Sequence, residues 1–290
     1  MPRGGELPLI SCFRCICAAL VALALAAPAA SARSADVAAL QVALRAEGMY
    51  AGTVDGVRGP LTTAGVRRVQ ARHGLVVDGI AGPATRRALG RRGRPRLGTR
   101  TLAAGTRGWD VAGLQFLLAR SGFPSGSVDG GLGPRTAAAL LRFQRWAGLA
   151  ADGLAGAATI ARLRAPPPTS PLVFAPPLRS AVGDRFGPRG AGFHPGVDFP
   201  VPAGTTVAAA GRGCVTFAGW SAGGYGNLVV VSHRLGMTSW YAHLSAVGVR
   251  PGTCVVAGTP IGRAGSTGFS TGPHLHFELR LRGAAVAPRF

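Results

Sequence analysis

Residues His274-Leu275-His276-Phe277-Glu278-Leu279-Arg280-Leu281 alternate polar and apolar without a break. Successive side chains of a strand point to opposite faces, so the pattern predicts a strand. Leu275, Phe277, Leu279 and Leu281 would face a core, and His274, His276, Glu278 and Arg280 would share the other face. The Gly-, Ser- and Thr-rich stretch 265–273 suits a tight loop feeding that strand. Two imidazoles side by side on one surface can share a metal or divide the work around one. Shorter β-rich runs precede them: Thr206–Ala208, Cys214–Phe217, Leu228–Val231, Thr238–Tyr241 and Cys254–Val256, separated by Gly and Pro turns. Their spacing predicts an antiparallel β domain over residues 179–290.

Upstream the period changes. Residues 36–89 align without a gap with 110–163, an offset of 110 − 36 = 74, and about half the positions are identical, which is two copies of a small domain and not a solenoid. Val37, Leu40 and Leu44, like Val111, Leu114 and Leu118, fall at helical spacing after Asp36 and Asp110, which suit N-caps. Gly48 and Gly122 sit where those helices would stop. The pairs Asp55-Gly56 and Asp129-Gly130 mark turns, as do Asp78-Gly79 and Asp152-Gly153. Pro60 and Pro134 suit the start of a second helix, carrying Val66 and Val69 or Leu140 and Phe143. A short third helix ends at Leu89 or Leu163. Each copy therefore reads as a three-helix bundle.

Residues 91–105 form a basic linker and 165–178 a proline-rich one. A proline run extends as a semi-rigid spacer, so the last domain is expected to stand off from the bundles. The organisation is a signal peptide (1–32), a first repeat (33–90), the basic linker, a second repeat (106–164), the proline-rich linker and the β domain (179–290). The fold class is multidomain α + β, two small three-helix bundles followed by an antiparallel β domain.

The signal reading rests on Arg3 and Arg14, the apolar run from Ile16 to Ala27, and Ala30-Ser31-Ala32 as a small-x-small cleavage site. That run is shorter than the roughly 20 residues that span a bilayer, so no stable membrane insertion is expected after cleavage. Cleavage would remove Cys12, Cys15 and Cys17 and leave Cys214 and Cys254, which in an exported chain are expected to form one disulfide. The chain has 32 Arg and no Lys against 11 acids, a net charge of +21. Such a chain seeks a polyanionic neighbour. Export and the lack of a nucleic-acid motif argue against nucleic acid and for an anionic envelope.

Five of the six histidines lie in the last domain: His194, His233, His243, His274 and His276. Only Asp184, Asp198 and Glu278 supply acids there. A hydrolytic site in this domain must lean on imidazole. His194 and Asp198 stand four apart around a Pro-Gly bend, and one imidazole of the His-x-His strand completes a His2Asp set. Catalytic zinc sites usually have three protein N/O ligands and a fourth position for water, whose pKa falls to about 7. There is no helical H-E-x-x-H, so a base would come from His243 and the remaining strand imidazole.

The repeats resemble the peptidoglycan-binding domain of cell-wall hydrolases, through Leu-Gln, the paired Asp-Gly turns, Gly-Pro-x-Thr and Phe143-Gln144. Val69 replaces that aromatic in the first copy. Arg185-Phe186-Gly187-Pro188-Arg189, His194-x-x-x-Asp198, Gly224-Tyr225-Gly226-Asn227, Tyr241-Ala242-His243-Leu244-Ser245, Gly265-Ser266-Thr267-Gly268 and Gly272-Pro273-His274-Leu275-His276-Phe277-Glu278 resemble, in order, the lysostaphin/LytM-type peptidoglycan metallopeptidases. This resemblance implies one Zn2+ per chain on His194, Asp198 and His276, catalytic roles for His243 and His274, and hydrolysis of peptide bonds in peptidoglycan. It implies a secreted, wall-associated monomer with peptidoglycan and anionic wall polymers as partners. The alternative is a non-catalytic wall-binding protein that activates another hydrolase. His73 reads as a surface residue and His233 as structural. Glu278 is placed to pair with Arg280 or to buttress a ligand, with no catalytic role.

Overall fold

The computed structural model describes residues 33–90 and 94–290; the expected signal segment, 1–32, lies outside the described residues. The first repeat forms helices α1 (Ala35–Ala46), α2 (Pro60–Arg72) and α3 (Pro83–Ala88). The second forms α4 (Trp109–Arg120), α5 (Pro134–Trp146) and α6 (Ala157–Leu163). No described helix is long and apolar enough to cross a membrane. Proline opens α2, α3 and α5, where the missing N–H has no helical partner to lose. The caps of α1 and α4 are Ser34 and Gly108, each two positions earlier than the expected caps Asp36 and Asp110. Both acids sit in the first turn, where their charge suits the helix dipole. Asp110 is buried and ion-paired with Arg100 at 2.7 Å.

The residues shared between the repeats are internal scaffolding. The buried Gln41 amide donates to Asp55 Oδ1 (2.7 Å) and Thr62 Oγ1 (3.1 Å), and its carbonyl accepts from Gly56 N–H (3.0 Å). The same arrangement recurs at Gln70, Asp78, Gly79 and Thr85. In the second repeat it appears at Gln115, Asp129, Gly130 and Thr136, and again at Gln144, Asp152, Gly153 and Thr159. Each glutamine thus ties a helix to the turn and helix that follow. A buried amide left unpaired costs about 1–3 kcal/mol, which explains why these types recur together.

The two repeats share one core, in which Leu40 and Leu44 of α1 join Val111, Leu114 and Leu118 of α4. Leu97 and Leu102 of the basic linker are buried in it.

The last domain contains β1 (Gly187–Arg189), β2 (Gly192–His194), β3 (Val197–Pro200), β4 (Thr206–Ala208), β5 (Gly213–Ser221), β6 (Gly226–Ser232), β7 (Met237–Leu244), β8 (Ala246–Val247), β9 (Cys254–Val255), β10 (Pro260–Arg263), β11 (His274–Leu281) and β12 (Ala284–Val286). The main sheet runs β12-β11-β7-β6-β5-β9, antiparallel throughout, with β3 also paired to β11. Leu275, Phe277 and Leu279 enter the core beneath it together with Tyr241 and Phe199. Cys214 and Cys254, cross-strand partners on β5 and β9, form a disulfide.

The spacer expectation fails. Phe174 and Leu178 of the proline-rich segment are buried in the β-domain core, and Ala175 N–H bonds to Ala210 O at 2.8 Å. Two apolar side chains gain more from burial, about 1.5–3 kcal/mol each, than from an extended, solvated path. The bundles consequently lie on the β domain. The equivalent residues Val54 and Val128 donate their N–H groups to Gly190 O (2.8 Å) and Ala191 O (2.7 Å), neighbours at the tip of the β1–β2 hairpin. Ala285 N–H bonds to Gly122 O at 3.0 Å, and Trp146 Nε1 to Leu281 O at 3.2 Å. A Cβ on Gly122 would strike the Ala285 backbone, so this helix stop is also the point of closest approach.

Candidate metal centre and active site

Strand register assembles the site. In the β11–β3 pairing His276 lies opposite Asp198, and in the β11–β7 pairing it lies opposite Ala242, one residue before His243. His194 arrives at the end of β2, and the Pro195-Gly196 bend returns the chain into β3. A Cβ on Gly196 would run into the Phe277 carbonyl and the Glu278 side chain, so only glycine lets this bend press onto β11. The cleft, of about 690 Å3, is lined by His194, Asp198, His243, His274 and His276 among others.

His194 Nε2, His276 Nδ1 and Asp198 Oδ1 face one another. The separations are 3.1 Å between the nitrogens, 3.1 Å from His194 to Asp198 and 2.7 Å from His276 to Asp198. These approach the ~3.3 Å edge of a tetrahedron built on zinc–nitrogen bonds of about 2.0–2.1 Å. The outer nitrogen of each ring is tied to an acceptor: His194 Nδ1 donates to Arg185 O (3.1 Å) and His276 Nε2 to Glu278 Oε1 (2.9 Å). A carbonyl or carboxylate can only accept, so in the neutral rings the proton sits on the outer nitrogen and the inner lone pairs face the shared centre. This is the outer support that metal-ligating histidines need. The donor set and its spacing therefore fit zinc.

Electrostatics favour a cation there. Burial opposes charge on His276, but hydrogen bonds to Asp198 and Glu278 outweigh it and hold the imidazole up to about 9. Burial also opposes the Asp198 carboxylate, yet bonds from His194 and His276 hold it well below the ordinary carboxylate range. Its second oxygen accepts from Arg189 at 3.3 Å. Glu278, fully buried, is opposed by burial but stabilised by Arg280 and His276, which pull it down to about 2. Its Oε2 accepts from Arg280 Nε (2.7 Å) and its Oε1 also accepts from Tyr225 O–H (2.9 Å). Arg280 in turn lies 3.9 Å over the Trp240 ring. Glu278 thus pairs with Arg280 and also holds the His276 ring.

The other two imidazoles are held differently. His243 Nδ1 donates to Thr267 O (2.7 Å), and His274 Nδ1 to Gly272 O (2.8 Å). Each leaves Nε2 as its free nitrogen. The rings are 4.8 Å apart, and His274 Nε2 stands 3.9 Å from Asp198 Oδ1. Burial lowers the His243 pKa, which favours the neutral imidazole. His243 has φ 60°, a left-handed conformation that costs a non-glycine residue about 1–3 kcal/mol and is characteristic of functional sites.

His233 stays outside the site, bonded to Arg212 O and Ser239 Oγ, and His73 is exposed at the end of α2. Tyr225 and Thr267 received no role from the sequence, although both stand within the motifs that carry the resemblance. Their contribution depends on what crosses from neighbouring segments.

Residues 192–288 match the family described as "Peptidase family M23", and residues 33–89 and 107–163 each match the "Putative peptidoglycan binding domain". The chain is 50% identical over 95 residues to the DD-carboxypeptidase/endopeptidase Mpg of Neisseria meningitidis, covering 33% of this chain and 22% of Mpg. It is 48% identical over 88 residues to lysostaphin of Staphylococcus simulans, covering 30% of this chain and 18% of lysostaphin. With the cell division protein DipM of Caulobacter vibrioides it shares 39% identity over 108 residues, covering 37% of this chain and 18% of DipM. The solved catalytic domain of lysostaphin from Staphylococcus simulans is 40% identical, covering 38% of this chain and 89% of that domain, with a TM-score of 0.36. The chain spans about a fifth of the length of these curated relatives.

Proposed function

We propose that the chain, in which two peptidoglycan-binding domains precede a peptidase family M23 domain, is an exported zinc endopeptidase that cuts peptide bonds in peptidoglycan. The observation that carries the reading is the convergence of His194, Asp198 and His276 on one centre, with His243 and His274 beside it. His194 Nε2, His276 Nδ1 and Asp198 Oδ1 would hold a single zinc ion. When bound, zinc acts as a Lewis acid toward a carbonyl oxygen and lowers the pKa of water.

The remaining steps belong to the chain's own residues. His243 and His274, each with its Nδ1–H anchored on a carbonyl, offer Nε2 to the substrate. They take up the proton lost by the attacking water and return it to the leaving amine. Once protonated they donate toward the oxygen on which charge develops. Glu278 and Arg185 O keep the ligand rings in one tautomer and orientation. The two repeats bind the wall, aided by the arginine-rich surface. Export is supported by the pattern of residues 1–32 and by the Cys214–Cys254 disulfide. The chain acts as a wall-associated monomer. A non-catalytic wall-binding role finds no support in a site whose imidazoles and carboxylate are all present and oriented.

The test is digestion of purified peptidoglycan by the full chain, with the released fragments identified by mass spectrometry. Fragments carrying newly cut peptide bonds are expected, lost on chelation and restored by zinc. Intact stems and cross-links, or cleavage confined to the glycan, would contradict the reading.

A further inference from the structure

Beside the catalytic cleft lies a second cavity, of about 830 Å3, between the second repeat and the β domain. It adjoins the cleft: Pro195, Gly223 and Tyr225 line both. One wall is α5, where Arg142, Arg145 and Trp146 fall at i, i+3 and i+4 and so share a face. The opposite wall is the end of β11 and its turn, with Arg280 and Arg282. The walls are held together by the bonds from Trp146 Nε1 to Leu281 O and from Ala285 N–H to Gly122 O.

The charge of this cavity is unbalanced. Arg280 is committed to Glu278, but Arg142, Arg145 and Arg282 have no ion pair or side-chain hydrogen bond among the described residues. Burial and the nearby charge of Arg280 both pull the Arg142 pKa below its ordinary value. Three guanidiniums gathered without an acid around one concavity, at a cost in repulsion, make a site for an anion. Trp146 and Pro124 add apolar surface beside them, which suits the backbone and methyl groups of a peptide better than a bare phosphate chain.

We propose that this cavity is a substrate subsite that takes a free carboxylate of the peptidoglycan stem peptide while the neighbouring cleft holds the bond to be cut. The inference rests on the proposed peptidase reading and adds a specificity: stems with free carboxylates are preferred to amidated ones. The second repeat then supplies part of the substrate site as well as wall attachment.

The test is a titration of the full chain, dialysed against a chelator, with a synthetic uncross-linked stem pentapeptide and with the same peptide carrying carboxamides. The free-acid peptide is expected to bind roughly 10-fold or more tightly, the worth of one charge-assisted pair. Arg142→Ala/Arg145→Ala should bring the two affinities together, with unchanged melting. Arg58→Ala/Arg72→Ala, which removes two exposed arginines of α2 and the loop before it, should leave the preference intact. Equal affinity of the parent for both peptides, no binding of either, or a preference that survives the α5 substitutions overturns the subsite. So does loss of preference in the control, which would mean net charge alone. Tighter binding of poly(glycerol phosphate), abolished by the α5 substitutions, would assign the cavity to a wall polymer instead and overturns it too. A chain that cleaves peptidoglycan with zinc restored but does not discriminate loses only this inference; one that discriminates but does not cleave loses the proposed activity.

Discussion

Glu278 Oε1 accepts a hydrogen bond from His276 Nε2 at 2.9 Å, two residues along the same face of β11. A fully buried carboxylate therefore determines which nitrogen of His276 is free to ligate. Supports of this kind are worth about 10–100-fold in metal affinity. Glu278→Ala should weaken zinc binding by that amount in competition with a chromogenic chelator. Glu278→Gln keeps an oxygen acceptor and should lose less. Unchanged zinc affinity in Glu278→Ala would show that the ring is oriented by other contacts.

The glutamine networks make a separate prediction about the repeats. Gln115→Leu would leave Asp129, Thr136 and the Gly130 N–H without their buried partner. A loss of about 2–4 kcal/mol is expected, from several unsatisfied groups at about 1–3 kcal/mol each. Val76→Ala, at an exposed site, should stay within about 0.5 kcal/mol. Thermal or urea melting of the full chain decides between them, and equal melting of the two variants would refute the scaffolding role.

The disulfide closes a sequence separation of 40. Intact mass after alkylation should show no modified thiol before reduction and two afterwards in the chain lacking residues 1–32. Cys214→Ser/Cys254→Ser should lower stability by about 4 kcal/mol in the chain-entropy model. Alkylation without reductant would contradict the bond.

Wall binding should be more than charge attraction. Full chain carrying His274→Ala, to prevent digestion, is expected to pellet with purified sacculi even in about 0.5 M salt, where exposed charges are screened beyond a few ångströms. Release at that salt would reduce the repeats to an electrostatic patch.

Much of this architecture is legible in the residues themselves. The alternation of 274–281 foretells β11 because a strand's period is two, and the helix positions of the repeats follow from apolar spacing. The division of labour between His274 and His276 is not legible that way, since both point to one side. It depends on the register that sets His276 opposite Asp198, a relation between distant strands. The repeat signature does not show what its glutamines do; Gln41, Gln70, Gln115 and Gln144 are buried within 2% exposure and serve the fold. Counting prolines missed the packing of residues 165–178, because Phe174 and Leu178 decide that segment's path. The anchoring of His243 on Thr267 joins residues 24 apart in the chain and has no local pattern.

The central claim is that His194, Asp198 and His276 hold the metal while His243 and His274 act on the substrate. A ligand and a proton-handling group fail differently, because losing a ligand empties the site and losing a transition-state group slows turnover, by roughly 10²–10³-fold for a missing oxyanion donor. The most direct measurement is zinc content per chain after dialysis of His276→Ala, His274→Ala and His243→Ala, read beside peptidoglycan hydrolysis. His276→Ala should be largely zinc-free, while His274→Ala and His243→Ala should each retain about one zinc and be nearly inactive. Zinc retained by His276→Ala and lost by His274→Ala would contradict the assignment and the mechanism built on it.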